Sequence, residues 1–339
     1  MNNVYDNLNE KTLEEQKEII KKEGCAIKFI KNPSEELQKL AVQQNGLAIQ
    51  FIENQTEDLK RMAVQSNGLA LDHIFLRSNE LERMAVENNG LAIRTVNNPS
   101  DELKRIAVEN NGWAIEYIKN PSEELQKIAV QNACYSIQHL ENPSEEVQQL
   151  AINQNSSVVS VIKNPSDEII KLAIKDDGMN IGYFKNKTEE MQKIAVQQNG
   201  QALRFIDNPS EEIQNLAVRN DGNAINYIES PSEELQKIAV QQNWRAISYI
   251  ENPSDDIQKL AILQDSRAIN FIDNPSKEIL QYAEEIKRNE LAMNSCDIGH
   301  TDSDTPTFES FEEEYDQNEL AIDSIDIEEI ELNTDNIEI

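Results

Sequence analysis

A 22-residue period runs through most of this 339-residue chain and constrains its fold more than any other feature. The stretch NPSEELQKLAVQQNGLAIQFIE at residues 32–53 returns as NPSEELQKIAVQNACYSIQHLE at 120–141 and as SPSEELQKIAVQQNWRAISYIE at 230–251. Nine of the ten prolines are separated by multiples of 22 residues, and an alanine recurs in phase from Ala41 to Ala283. Such a period is typical of repeat proteins, in which each unit packs against its neighbours.

Each unit carries the signals of two short helices. In residues 32–53, Asn32 is a candidate N-cap, Pro33 suits the first helical position, and apolar residues then follow helical spacing. The pair Asn45 and Gly46 predicts the helix end, because glycine takes the left-handed conformation at the C′ position without steric cost. The second helix, over about 48–52, is short enough to be partly 3₁₀.

Neither helix would be stable alone in water, so the units must bury their apolar stripes against one another. The sequence therefore predicts an all-α, right-handed α-solenoid of about twelve two-helix repeats over residues 11–288. A leader precedes it at 1–10, and an acidic, largely disordered tail follows at 289–339. The tail holds 17 acidic and no basic side chains, and its last stretch, LAIDSIDIEEIELNTDNIEI, suits either a short binding segment or a solubilising end.

The segment AVQQNGLAIQFI resembles the A-V-x-x-N-G-x-A-L core of uncharacterised bacterial and phage α-helical repeat proteins, a domain of unknown function. The NPSEEL start of each unit is similar to repeats in hypothetical viral and bacterial proteins. A weaker similarity is to leucine-rich-repeat variants, whose helical units are also short. The resemblance implies a helical repeat fold and carries over no catalytic residue, cofactor or substrate.

Composition limits the partners that this chain can have. The formal net charge is −31, which argues against direct binding of nucleic acid or of an anionic membrane surface. The sequence contains no run of 18 apolar residues, so it predicts no membrane-spanning helix. The three cysteines lie far apart without metal or disulfide spacing, which favours a cytoplasmic setting in a bacterium or in a virus- or phage-infected cell.

Two charged columns run along the predicted solenoid. One is acidic in every unit, from Glu14 to Glu278, and a lysine or arginine follows three residues later in most units. The acids fit the first helical turn, where they complement the helix dipole, and the bases supply partners for them. The alternative interpretation is a row of carboxylates that mimics nucleic acid.

One column changes its character along the chain, from apolar through aromatic to basic, while its neighbours hardly change. This change indicates a solvent-facing position free to specialise, although drift without selection would give the same pattern. We call this position the changing column. A glycine recurs at the position of Gly46 in most units, which we call the glycine column, and Trp244 interrupts it. The changing column and Trp244 together supply the candidate partner-binding residues Leu91, Trp113, Tyr135, Met179, Trp244, Arg245 and Arg267.

No constellation in the sequence predicts catalysis, a metal site or a cofactor site. His73 and His139 occupy a column otherwise held by Phe and Tyr, so they are interpreted as aromatic substitutes in a packing position. The sequence thus favours a non-enzymatic, protein-binding solenoid scaffold or adaptor. The alternative is an acidic, nucleic-acid-mimicking decoy or inhibitor, for example a phage-encoded one directed against a host defence protein.

Deleting one whole unit, residues 121–142, should leave a folded helical protein, because the deletion preserves every type of interface between units. Circular dichroism and thermal unfolding measure the outcome. Loss of cooperative unfolding in the deletion variant would contradict the solenoid.

Overall fold

The computed structural model describes the backbone of residues 7–296 and the side chains of residues 7–291. Within these residues α-helices alternate with 3₁₀-helices, and no strand occurs. The contacts divide the chain after Ile286. The first unit contains the repeats, and of the second unit the structure describes residues 287–296, which are helical. The tail predicted at 289–339 lies mostly outside the described residues, as does the start of the predicted leader.

Thirteen α-helices, α1 to α13, recur at the predicted period. Their bounds are Leu13–Lys22, Glu35–Gln44, Glu57–Ser66, Asn79–Asn88, Asp101–Asn110, Glu123–Asn132, Glu145–Gln154, Asp167–Asp176, Glu189–Gln198, Glu211–Asn220, Glu233–Gln242, Asp255–Gln264 and Lys277–Cys296. Thirteen 3₁₀-helices, η1 to η13, precede and separate them. Their bounds are Leu8–Glu10, Gly24–Phe29, Gly46–Phe51, Gly68–His73, Gly90–Thr95, Gly112–Tyr117, Cys134–His139, Ser156–Val161, Gly178–Tyr183, Gly200–Phe205, Gly222–Tyr227, Trp244–Tyr249 and Ser266–Phe271.

The core confirms the predicted α-solenoid. In the repeat that begins at Asn32, Ala41 and Val42 of α2 and Ala48 and Ile49 of η3 are completely buried. The same positions are buried in repeat after repeat. Consecutive α-helices from α1 to α12 contact one another, and each of α2 to α12 contacts the 3₁₀-helices on either side of it. Small alanine side chains allow the helix axes to approach closely, so neighbouring repeats complete one another's cores.

In the repeats that carry an Asn-Pro pair, the α-helix begins later than that pair predicts. Ser34 is the N-cap of α2, and its Oγ accepts a hydrogen bond from the Leu37 N–H at 3.4 Å. The assignment of Asn32 as N-cap and Pro33 as first helical residue was therefore wrong. Asn32 adopts the left-handed region with φ 49°, which asparagine tolerates better than most residues. Leu76 takes the same conformation in place of asparagine with its side chain 91% exposed, and nothing in the structure explains this substitution.

The glycine column has a different role from the one predicted. None of the described glycines has a positive φ, so the left-handed C′ assignment of Gly46 was wrong. These glycines instead begin the 3₁₀-helices, where they face the backbone of the following repeat. A Cβ atom on Gly90 would lie 2.3 Å from the carbonyl oxygen of Ala107, well inside van der Waals contact. The column therefore sets the closeness of consecutive repeats.

An amide side chain bridges consecutive repeats at the same place. The Gly90 N–H donates to Asn110 Oδ1 at 2.7 Å, and Asn110 Nδ2 donates to the Glu87 carbonyl oxygen at 3.0 Å. The side chain thus satisfies groups at the end of one α-helix and at the start of the next 3₁₀-helix. Five glycines of the column donate such a bond to an amide, and Gly46 donates instead to the Ser66 hydroxyl at 3.1 Å. The five are Gly24, Gly68, Gly90, Gly178 and Gly200.

The terminal repeats carry polar residues where the internal repeats are apolar. Glu15 of α1 occupies the place of Leu37 and accepts a hydrogen bond from the Thr12 N–H at 2.8 Å, which closes a capping box. Glu284 of α13 occupies the place of Val42 and is exposed. Polar residues at these positions suit the outer faces of the terminal repeats of a stacked array.

Replacing Gly90 by Ala should lower the free energy of unfolding by about 1–3 kcal/mol, because the new methyl group meets the Ala107 backbone. Gly182 is the matched control. A Cβ there meets the Phe205 ring at 3.1 Å, and a side chain can shift where a backbone carbonyl cannot. Urea denaturation of both variants measures the difference. Equal stability of the two variants would contradict the role given to the glycine column.

Candidate functional site

The solenoid presents two chemically different sides. The α-helices expose the acidic and basic columns, and the 3₁₀-helices expose aromatic and polar side chains. The two sides therefore differ in what they can offer a partner.

Ion pairs between successive repeats connect the charged columns of the α-helical side. Lys17 lies 2.7 Å from Glu36, and Arg61 donates to both carboxylate oxygens of Glu80 at 3.0 Å. Pairs within one helix also occur, as predicted, but most basic residues of the column reach the acid of the following repeat. The pairs between repeats are Lys17–Glu36, Arg61–Glu80, Arg83–Glu102, Arg105–Glu124, Lys127–Glu146, Lys171–Glu190 and Lys193–Glu212.

These contacts also determine the protonation of the lysines. The hydrogen bond to Glu146 raises the pKa of Lys127, and the hydrogen bond to Glu190 raises the pKa of Lys171. Both lysines remain charged far above neutral pH. Because positive charges alternate with the carboxylates, the α-helical side does not present an uninterrupted row of negative charge.

The 3₁₀-helical side carries a column of half-exposed rings. Within η3, Ala48 and Ile49 are buried, whereas Gln50 is exposed and Phe51 is half-buried. We call the residues at the position of Phe51 the ring column. It consists of Phe29, Phe51, His73, Thr95, Tyr117, His139, Val161, Tyr183, Phe205, Tyr227, Tyr249 and Phe271.

The ring column lies at the surface and not in the interior. Tyr183 is 56% exposed, Phe271 46% and Tyr249 45%. The interpretation of the column as a packing position was therefore incomplete, although His73 and His139 are half-buried. Sequence reasoning missed this surface, and the signal available was an aromatic residue that recurs at a fixed position directly after a variable polar one.

The predicted partner-binding residues lie on the same side, mostly half-buried. Leu91 and Tyr135 pack against the core of the first repeats, and Met179 packs against the core of the later ones. Trp113 is 38% exposed, and its ring meets His139 of the next repeat edge-on, with centroids 5.7 Å apart. The structure thus pairs the changing column of one repeat with the ring column of the next.

Trp244, Arg245 and Arg267 come together in a single cluster. The guanidinium of Arg245 lies 4.4 Å from the centroid of the Trp244 ring, and that of Arg267 lies 5.7 Å from it. The edge of Trp244 contacts Phe271 at 5.7 Å between centroids. Arg267 also donates from Nε to Asp265 Oδ1 at 2.8 Å, and this contact lowers the pKa of Asp265. The cluster is an amphipathic patch of the kind that anchors protein interfaces.

Chemically reactive groups are sparse among the described residues. They contain no group of three or more His, Cys, Asp or Glu side chains placed to hold a metal ion. Cys25 and Cys134 are half-buried free thiols, and burial raises the pKa of the Cys25 thiol, which keeps it protonated. None of the described helices combines the length and the apolar character that crossing a bilayer requires.

Comparison with known proteins gives no match: no family model fits the chain, and neither the curated proteins nor the solved structures contain one that is significantly similar to it. The resemblance to uncharacterised helical repeat proteins thus stays a prediction.

The two tryptophans should respond differently to truncation. Trp244→Ala should cost about 2–3 kcal/mol of stability, because Trp244 packs on the core, Phe271 and two arginines. Trp113→Ala should cost about 1 kcal/mol, because its main aromatic contact is one edge with His139. Urea denaturation followed by circular dichroism compares them, and a larger loss for Trp113→Ala would contradict the packing described here.

Proposed function

We propose that this chain is a non-enzymatic scaffold that binds another protein along its 3₁₀-helical side. The half-exposed ring column is the observation that carries the proposal. Tyr117, Tyr183 and Tyr249 are 41–56% exposed, so part of each ring retains apolar area for a partner. Tyr and Trp are enriched among residues that dominate binding energy. The variable residues beside the rings, such as Gln50, Arg94 and Ser248, can then provide specificity.

The regular spacing of the rings favours an extended ligand. Neighbouring helices in such arrays lie about 8–10 Å apart, and an extended chain advances about 3.3 Å per residue. One repeat therefore matches about three residues of an extended segment. A segment laid along the ring column would place a side chain near each successive ring.

The α-helical side supports the decoy interpretation less well. Its acids form ion pairs with lysines and arginines of the preceding repeat, as between Arg83 and Glu102 at 2.9 Å. A nucleic-acid mimic needs carboxylates that are free to replace phosphates. We accordingly favour a protein partner over competition for a nucleic-acid-binding site, with the cytoplasm as the proposed setting.

Affinity capture from the producing cells, followed by mass spectrometry, tests the proposal with two matched variants. The first replaces Tyr117, Tyr183 and Tyr249 by Ser, and the second replaces Glu80, Glu102 and Glu124 by Gln. We expect the first variant to lose a partner that the wild type captures, and the second to retain it. Circular dichroism confirms that both variants fold. Retention by the first variant and loss by the second would support the decoy in place of the scaffold.

A further inference from the structure

The last repeats combine a ring with a carboxylate two residues later. Tyr227 is followed by Glu229, Tyr249 by Glu251, and Phe271 by Asp273. Among the earlier repeats this second position varies: a lysine follows Phe29, Tyr117 and Tyr183, and a carboxylate follows Phe51, His139 and Phe205. The combination therefore occurs in isolated repeats first and in four consecutive repeats at the end, from Phe205 with Asp207 to Phe271 with Asp273.

Two of these ring–carboxylate pairs line one surface depression. It has a volume of about 460 Å³, and its lining includes Tyr249, Glu251, Phe271 and Asp273. Both rings are almost half exposed, and both carboxylates are exposed. Among the described residues, no lysine or arginine nitrogen lies within 4.0 Å of either carboxylate, in contrast to the paired acids of the α-helical side.

The same column already binds cations elsewhere in the molecule. Lys28 Nζ lies 4.9 Å from the centroid of the Phe29 ring and 5.8 Å from that of Phe51. The guanidinium of Arg204 lies 4.7 Å from the centroid of the Phe205 ring. In both cases the cation is the residue directly before a ring of the column. These contacts show that the faces of the rings are accessible to a positive side chain.

The rings of the depression have no such internal cation. Ser248 precedes Tyr249 and Asn270 precedes Phe271, so the position that Lys28 and Arg204 occupy is neutral. The fold thus presents ring faces and nearby carboxylates without a cation at this position, while Arg245 and Arg267 lie beside the neighbouring Trp244 ring. Carboxylates beside aromatic faces attract an ammonium or a guanidinium by charge and by the ring quadrupole together.

We propose that this depression, the cation notch formed by Tyr249, Glu251, Phe271 and Asp273, binds a lysine or arginine side chain of a basic, extended segment in the partner. This inference rests on the proposed function and names its partner class. The formal net charge of −31 assists the encounter, because it attracts a basic segment over a distance. The notch then provides the local recognition that net charge alone cannot give.

Intrinsic fluorescence can report binding, because Phe271 contacts Trp244 and the chain has only two tryptophans. In a Trp113→Phe background, Trp244 becomes the sole indole. The probe is a synthetic peptide with lysine at every third position among glycine and serine, and the reference peptide has glutamine at those positions. We expect the lysine peptide to alter Trp244 emission in a saturable way and the glutamine peptide to bind at least about tenfold more weakly.

Two charge-matched variants separate the notch from the net charge. Glu251→Gln with Asp273→Asn should weaken the lysine peptide about tenfold. Glu53→Gln with Glu141→Gln removes two carboxylates from the same column position in earlier repeats and should leave the affinity unchanged. Ser248→Arg offers an independent test, because a cation placed before Tyr249, as Arg204 is before Phe205, should occupy the notch and also weaken binding.

Equal weakening by both carboxylate pairs would overturn the notch and leave only long-range attraction. Equal binding of the lysine and glutamine peptides, lost together on Tyr249→Ser, would overturn the cationic partner class while supporting a docking surface on the 3₁₀-helical side. Absence of binding by the lysine peptide would overturn the notch, and the affinity capture would still decide the proposed function separately.

Discussion

The close approach of one repeat's 3₁₀-helix to the backbone of the next α-helix is the constraint on which the rest of the array depends. Gly90 meets the Ala107 carbonyl so closely that no side chain fits between them, and its N–H binds the amide of Asn110. Four repeats carry Cys134, Ser156, Trp244 or Ser266 in place of this glycine. In the described structure, the backbone N–H groups of Cys134, Ser156 and Trp244 donate no hydrogen bond to a side-chain amide of the next repeat. Where both are present, as at Gly90 and Asn110, the glycine and the amide join neighbouring repeats at one place.

With the repeats joined in this way, the α-helical side and the 3₁₀-helical side contribute differently to stability and to binding. On the α-helical side, charged side chains bridge the repeats, and each such surface pair contributes at most about 1 kcal/mol, so they adjust the stack more than they hold it. On the 3₁₀-helical side, the buried positions of each short helix satisfy the core, and the ring column is left half exposed. The exposed parts of these rings contribute little to the stability of the fold, so they are available to bind a partner.

The repeat, the number of units and the buried alanine column could all be predicted from the sequence, because a fixed period leaves few other folds open. The helix start could not, because Asn32 and Ser34 are both good N-caps. In the structure Ser34 caps the helix, and Asn32 takes the left-handed conformation before it. The surface role of Phe51 was equally hidden. Residues three apart share a face in a 3₁₀-helix, so burial of Ala48 suggested burial of Phe51. The exposure of Phe51 depends on how much of its ring the neighbouring repeats cover. The sequence pattern within one unit does not determine this coverage.

The repeated fold and a specialised binding site are compatible in this protein because they depend on different columns of residues. The alanine and glycine columns must stay nearly constant, since a change at one of them alters the distance between two repeats. Residues beside the rings can vary without that cost, as the sequence from Lys28 through Ser248 to Asn270 shows. Because each repeat contacts only its neighbours, a carboxylate at position 251 or 273 changes the chemistry of one depression and leaves the others as they were. An array built in this way can acquire a local binding site at one end while its fold stays the same throughout.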